Sequence, residues 1–124
     1  MINTDIYQDD DSIWVLADVA GATRESIAVY AEARSVRIAV GYFRLNLDSP
    51  IRCHQRERHS SAPDDHRQLD LPVAVCASRA EGLLKEGLLV LRLPKSDEPD
   101  GAMVPLDCVA LEQGRFEPSL EQYS

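Results

Sequence analysis

The run Gly87-Leu88-Leu89-Val90-Leu91-Arg92-Leu93-Pro94-Lys95 constrains this chain more than any other stretch. At the strand period of two, Leu89, Leu91 and Leu93 fall on one face, and Leu88, Val90 and Arg92 on the other. Only Arg92 interrupts the apolar run, so one face is expected to be fully buried and the other partly so. Pro94 has no N–H to give a ladder, which ends the strand there. A strand apolar on both faces needs ladder partners on each side or a second sheet, and the rest of the chain supplies them.

Upstream, the pattern is a series of short strands. Residues 2–7 form an edge strand, and Asp9-Asp10-Asp11-Ser12 is a turn in which carboxylates take nearby backbone amides. Residues 12–19 alternate with Ile13, Val15, Ala17 and Val19 on one side. Residues 27–30 and 35–40 read as a hairpin in which Ile27, Val29, Val36, Ile38 and Val40 share the buried side. Tyr42, Phe43, Leu45 and Leu47 are spaced to extend the second of these strands past a bend at Gly41, until Ser49-Pro50 breaks it. Residues 51–59 are rich in Arg, His and Glu and have few apolar anchors. They suit a solvated loop or an edge strand that docks elsewhere.

Alternation resumes over residues 66–73, with Arg67, Leu69, Leu71 and Val73 on one side. Residues 73–79 make a crossover with room for one helical turn, residues 80–85 a strand, and Glu86-Gly87 a tight turn into the opening run. Seven or eight short strands without a long helix predict an all-β fold of two packed antiparallel sheets, an immunoglobulin-like β-sandwich over residues 1–95. A polar, turn-rich linker covers residues 96–102. An extension over residues 103–124 holds the apolar island Met103-Val104-Pro105-Leu106, where the proline fixes an extended backbone.

Composition removes several function classes. The chain has 124 residues and a formal charge of -8, which suits neither a nucleic-acid backbone nor an anionic membrane surface as partner. It has no apolar run of transmembrane length, and the acids near its start do not suit a signal peptide. These features read as a cytoplasmic protein, with Cys53, Cys76 and Cys108 as reduced thiols. Cys53, His54, His59 and His66 are metal-capable types, but their spacing does not match a compact zinc knuckle. No glycine elbow surrounds Ser60 or Ser61 beside His59, and no glycine-rich phosphate loop exists. The expectation is a protein with no enzymatic activity and no cofactor.

Several motifs in their order resemble the small heat shock proteins, the Hsp20 family with its alpha-crystallin domain. Ala17-Asp18-Val19-Ala20-Gly21 resembles the family's alanine–aspartate–leucine–proline–glycine turn, with Ala20 where proline is usual. Leu71-Pro72 resembles the strand end before the family's crossover. Residues 80–95 resemble its hairpin ending in glycine–valine–leucine…leucine–proline–lysine. Val104-Pro105-Leu106 resembles its C-terminal isoleucine–x–isoleucine motif.

The resemblance implies an ATP-independent chaperone that holds partly unfolded client proteins and self-associates as a homodimer or larger oligomer. It implies that Val104 and Leu106 dock in a groove of a neighbouring subunit, here placed between Leu84, Leu89 and Leu91 on one side and Val36 and Ile38 on the other. It also implies a strand exchanged between subunits, here near residues 52–59, with Arg52, His54, Arg56, Glu57 and Arg58 at the dimer interface. Two other readings stay open. One is a p23-like co-chaperone or adaptor, a class that lacks the C-terminal motif. The other is an accessory module that caps the docking grooves of larger chaperone assemblies. The family usually has a long N-terminal arm before the domain, whereas this strand pattern starts almost at Met1, which favours the accessory reading over a full-strength holdase.

Overall fold

The computed structural model of the chain describes residues 2–43, 45–55, 64–96 and 104–106. Among these described residues eight strands follow one another: β1 (Thr4–Gln8), β2 (Ser12–Asp18), β3 (Ala28–Ala31), β4 (Ser35–Gly41), β5 (Asp64–Asp70), β6 (Glu81–Lys85), β7 (Leu88–Pro94) and β8 (Val104–Leu106). They form two four-stranded sheets, ordered β1-β2-β7-β6 and β5-β4-β3-β8. Every strand pairing is antiparallel. Single 3₁₀ turns at Arg24–Ser26 and Ala77–Arg79 are the helical pieces among the described residues. The expected all-β sandwich is therefore the observed fold.

The opening run becomes β7, and its two ladder partners explain its composition. β7 lies between β2 and β6, with Leu91 opposite Val15 on one side and Gly82 on the other. Leu89, Leu91 and Leu93 are fully buried and join Ile13, Val15, Val29, Val36 and Ile38 in one core between the sheets. This is the alternation read from sequence, with β-branched residues from the second sheet meeting leucines from the first. Val90 is also fully buried. It lies on the outer face, between Leu16 and Leu83 in register, and is not part of the intersheet core.

Several boundaries differ from the sequence reading. β5 begins at Asp64, two residues before the expected start, because its ladder with β4 runs to the Gly41–Asp64 pair. The expected continuation of β4 past Gly41 is absent: Tyr42 makes a lone bridge to Ala22, and residues 43 and 45–55 form no strand. Gly41 is held by Ser26, whose Oγ accepts the Gly41 N–H at 2.9 Å and lies 2.7 Å from the Gly41 carbonyl oxygen. A Cβ at Gly41 would lie 3.0 Å from the Ser26 Cβ, so a side chain there would require Ser26 to shift by a few tenths of an ångström. Residues 97–103 and 107–124 lie outside the described residues.

The β6–β7 turn is the two-residue Glu86-Gly87 loop expected from the sequence. Both its residues have positive φ, 51° at Glu86 and 80° at Gly87, the geometry of a type I′ turn. Gly87 suits that region, whereas a glutamate there is strained by about 1 kcal/mol. Replacing it by the residue that favours this turn, Glu86→Asn, should therefore raise stability by about 1 kcal/mol. The thermal midpoint should rise by about 4 °C or more. An unchanged or lowered midpoint would contradict the strain argument.

Candidate functional site

Two of the sequence motifs meet in space and close one end of the first sheet. The Val19 N–H donates to the Gly87 carbonyl at 2.9 Å, and Asp18 Oδ1 accepts the Ala20 N–H at 3.1 Å. A Cβ at Gly87 would lie 3.2 Å from the Ala20 Cα and Cβ. The 17–21 turn and the Glu86-Gly87 turn are thus closely packed, and Gly87, at φ 80°, is where a side chain would be strained. At the other end, Asp9 Oδ1 accepts amides from Asp11 and Ser12 at 2.9 and 2.7 Å, and Oδ2 accepts the Trp14 indole N–H at 3.0 Å. The indole bond, followed by the two amides, holds the Asp9 carboxyl below the ordinary aspartate range. These contacts fix the frame of the sandwich.

The arrangement that can bind something lies at the sheet edges. In the second sheet, β3 pairs with β4 on one side and with β8 on the other. The register of β8 sets Leu106 opposite Val29, Pro105 opposite Tyr30, and Val104 opposite Ala31. Alternate residues of a strand point their N–H and C=O groups to opposite edges. The Glu32 N–H bonds to Ser35 across the β3–β4 hairpin, so the backbone groups of Tyr30 also face β4. Those of Val29 and Ala31 then face the edge where β8 lies. Pro105, which has no N–H, occupies the position that needs none. A Val-Pro-Leu segment is chemically matched to this edge.

The groove expected from sequence needs correction. Leu89, Leu91, Val36 and Ile38 are fully buried, and they sit on β7 and β4, interior strands with a ladder partner on each side. An interior strand has no edge to offer. Leu84 is on the edge strand β6, partly buried and packed against the core, so of the five expected wall residues it alone borders an edge. The residues that the sequence reading missed are Val29, Tyr30 and Ala31. Nothing local distinguishes the first strand of that hairpin from the second, because both carry the same apolar alternation. The strand order decides which of them is adjacent to β8.

Of the residues expected at a dimer interface, Arg52 and His54 are exposed on irregular backbone, and Arg56, Glu57 and Arg58 lie outside the described residues. Cys53 is an exposed free thiol, and Cys76 a partly buried one; Cys108 and His59 lie outside the described residues. Among the described residues no group of three His, Cys, Asp or Glu side chains is placed to hold a metal ion, and no helix is long and apolar enough to cross a membrane.

No protein-family model matches the sequence, and no curated protein matches it. Solved structures do match in three dimensions. A small heat-shock protein from Xylella fastidiosa superposes with a TM-score of 0.65 at 17% identity, covering 100% of this chain and 96% of that one. Heat shock protein 16.0 from Schizosaccharomyces pombe gives 0.64 at 17% identity, covering 98% and 97%. The hspA protein from Xanthomonas axonopodis gives 0.63 at 22% identity, covering 76% and 92%. The family resemblance read from the motifs is thus matched by the architecture: the chain has the fold of the small heat shock proteins, the alpha-crystallin-type β-sandwich.

Proposed function

We propose that this chain is an ATP-independent chaperone of the small heat shock type, a holdase that binds partly unfolded proteins through extended apolar segments and prevents their aggregation. The observation that carries this reading is the pairing of β8 along β3. That edge accepts a proline-containing apolar strand whose donors and acceptors match its own. An unfolded client exposes segments of the same kind, and these otherwise pair with one another. Main-chain bonds supply affinity and leave sequence selectivity low. The chain's acidity, with a formal charge of -8, would keep loaded complexes soluble. The working unit is proposed to be a homodimer, with Val104 and Leu106 as the docking motif and the 52–58 region, including Arg52 and His54, at the interface between copies. Self-assembly fits the solved X. fastidiosa protein, which is described as having a distinct high order structure.

The test is light scattering from a heat- or reductant-denatured client. At near-equimolar chain the proposal expects most of the aggregation to be suppressed without ATP. Undiminished aggregation in the presence of folded protein contradicts it. One observation favours the accessory reading: the edge is filled by a segment of the same chain. A module of that kind would leave client aggregation unchanged and reduce the mass of a larger small-heat-shock-protein assembly mixed with it.

A further inference from the structure

The two sheets differ in what they turn outward. On the second sheet, Arg37 and Ala39 of β4 face outward with Gln68 and His66 of β5 opposite them. That is the polar surface usual for the solvated side of an antiparallel sheet. On the first sheet the outward row is Leu16–Val90–Leu83, across β2, β7 and β6. On the same face Leu88 flanks this row on one side and Trp14 on the other. Val90 is fully buried by its neighbours, and the other four side chains are partly buried. A sheet that is apolar on both faces needs a layer against each. Among the described residues no third layer covers this one. A contiguous apolar face of this kind marks a binding surface.

The path of the chain beyond β8 leads toward it. β8 runs antiparallel to β3, with Val104 opposite Ala31 and Leu106 opposite Val29, so the chain continues from Leu106 past the Ala28 end of β3. That end adjoins the 17–23 turn, where the Val19 N–H donates to the Gly87 carbonyl at 2.9 Å. It is therefore the end at which β6 turns into β7. The lateral side is fixed as well. Arg67 of β5 donates from Nη1 to the Ile2 carbonyl beside β1 at 2.9 Å. By strand order β3 and β8 then lie on the side of β6, the edge strand of the first sheet. The chain leaves β8 beside the edge around which the apolar face begins.

The sequence that follows has the pattern to cover it. Residues 107–124 hold Val109, Leu111, Phe116, Pro118 and Leu120, too few to build a core of their own. Phe116, Pro118 and Leu120 recur at the strand period with Glu117 and Ser119 between them. In an extended arm they share one face, and the proline favours that backbone. These 18 residues reach up to about 60 Å when extended. A four-stranded sheet is about 15 Å across, so reach does not limit the contact.

We propose that the tail after a docked β8 folds around β6 and lays Phe116, Pro118 and Leu120 on the outer face formed by Trp14, Leu16, Leu83, Leu88 and Val90 of the same sandwich. The tail then acts as a strap that gives the first sheet its second layer. The proposal rests on the pairing of β8 with β3 and not on the chaperone reading.

Paramagnetic broadening in the full-length chain provides the test. On a background with Cys53, Cys76 and Cys108 changed to serine, a nitroxide attached at Ser119→Cys should erase the methyl signals of Leu16, Leu83 and Leu88. The Ala39 methyl, on the outer face of the other sheet, should keep most of its intensity. Adding F116S/L120S should restore the leucine signals while circular dichroism shows an intact β-sheet. The same pair of substitutions should make Trp14, the one tryptophan, more accessible to acrylamide quenching. Equal broadening on both outer faces, or broadening that survives F116S/L120S, overturns the proposal. Cover by a second copy would give no tail-dependent broadening and a lower sedimentation mass in Leu83→Glu, which also overturns it. Burial of these leucines only after a client is added assigns the face to clients and overturns it too. A parent chain that shows the tail-dependent broadening but fails the aggregation assay rejects the chaperone reading and leaves the strap standing.

Discussion

Leu91→Ala should cost about 4–5 kcal/mol of stability, among the largest effects expected of a single side-chain truncation in the domain. Leu91 is fully buried at the centre of the first sheet. Its ladder neighbours on the two sides are Val15 and Gly82. A cavity left by a leucine is reduced when larger neighbours lean into it. Here one neighbour is β-branched and stiff, and the other has no side chain at all, so the site collapses poorly and falls in the upper half of the leucine-to-alanine range. For a domain whose total stability is on the order of 5–15 kcal/mol, this removes a large share. Val90→Ala is the internal control. Val90 is as buried as Leu91 but lies on the outer face of the sheet. It should lose only about 1.6 kcal/mol, the transfer free energy of the two carbons removed. Urea unfolding of both variants checks the ordering; equal losses would mean that the outer face is as tightly packed as the core.

The second large effect concerns the edge of β3. In V104D/L106D the apolar side chains of the docking segment are replaced by charges while Pro105 and the chain length are kept. The amides of Val29 and Ala31, whose backbone groups face β8, should then exchange with solvent on the order of a hundredfold faster. The Tyr30 amide faces β4 and should keep its protection. This alternation along three consecutive residues separates loss of docking from general loosening of the sheet, which would raise exchange at all three. Hydrogen exchange followed residue by residue by NMR measures it. Uniform change, or no change, would mean that β8 does not guard this edge in solution.

Much of this fold was legible in the sequence because it is written in local alternation. Strands β1, β2, β4 and β7, the hairpin between β3 and β4, the helical turn in the crossover and the face that each leucine of β7 presents all follow from period-two patterning and turn chemistry. What failed was lateral order. Val36 and Ile38 were placed in a groove by the family resemblance, yet strand order, which no local pattern encodes, puts them in the middle of a sheet. The same limit hid Val29, Tyr30 and Ala31, whose role depends on β3 being the strand beside β8. Phe43, Leu45 and Leu47 misled in the opposite sense. Their alternation is that of a strand, and it predicted a longer β4. The structure ends β4 at Gly41 and leaves them exposed. Glu86 was missed because its left-handed backbone is imposed by the twist of the two strands it connects and not by its own preference.

The β3 edge is proposed to bind extended apolar segments, the chain's own or a client's. This is tested most directly by adding a partly unfolded client at equimolar ratio to V104D/L106D and following the same three amides. Protection should return to Val29 and Ala31 while Tyr30 stays unchanged. Client binding that leaves Val29 and Ala31 exchanging fast would contradict it, because the client would then be held somewhere other than this edge.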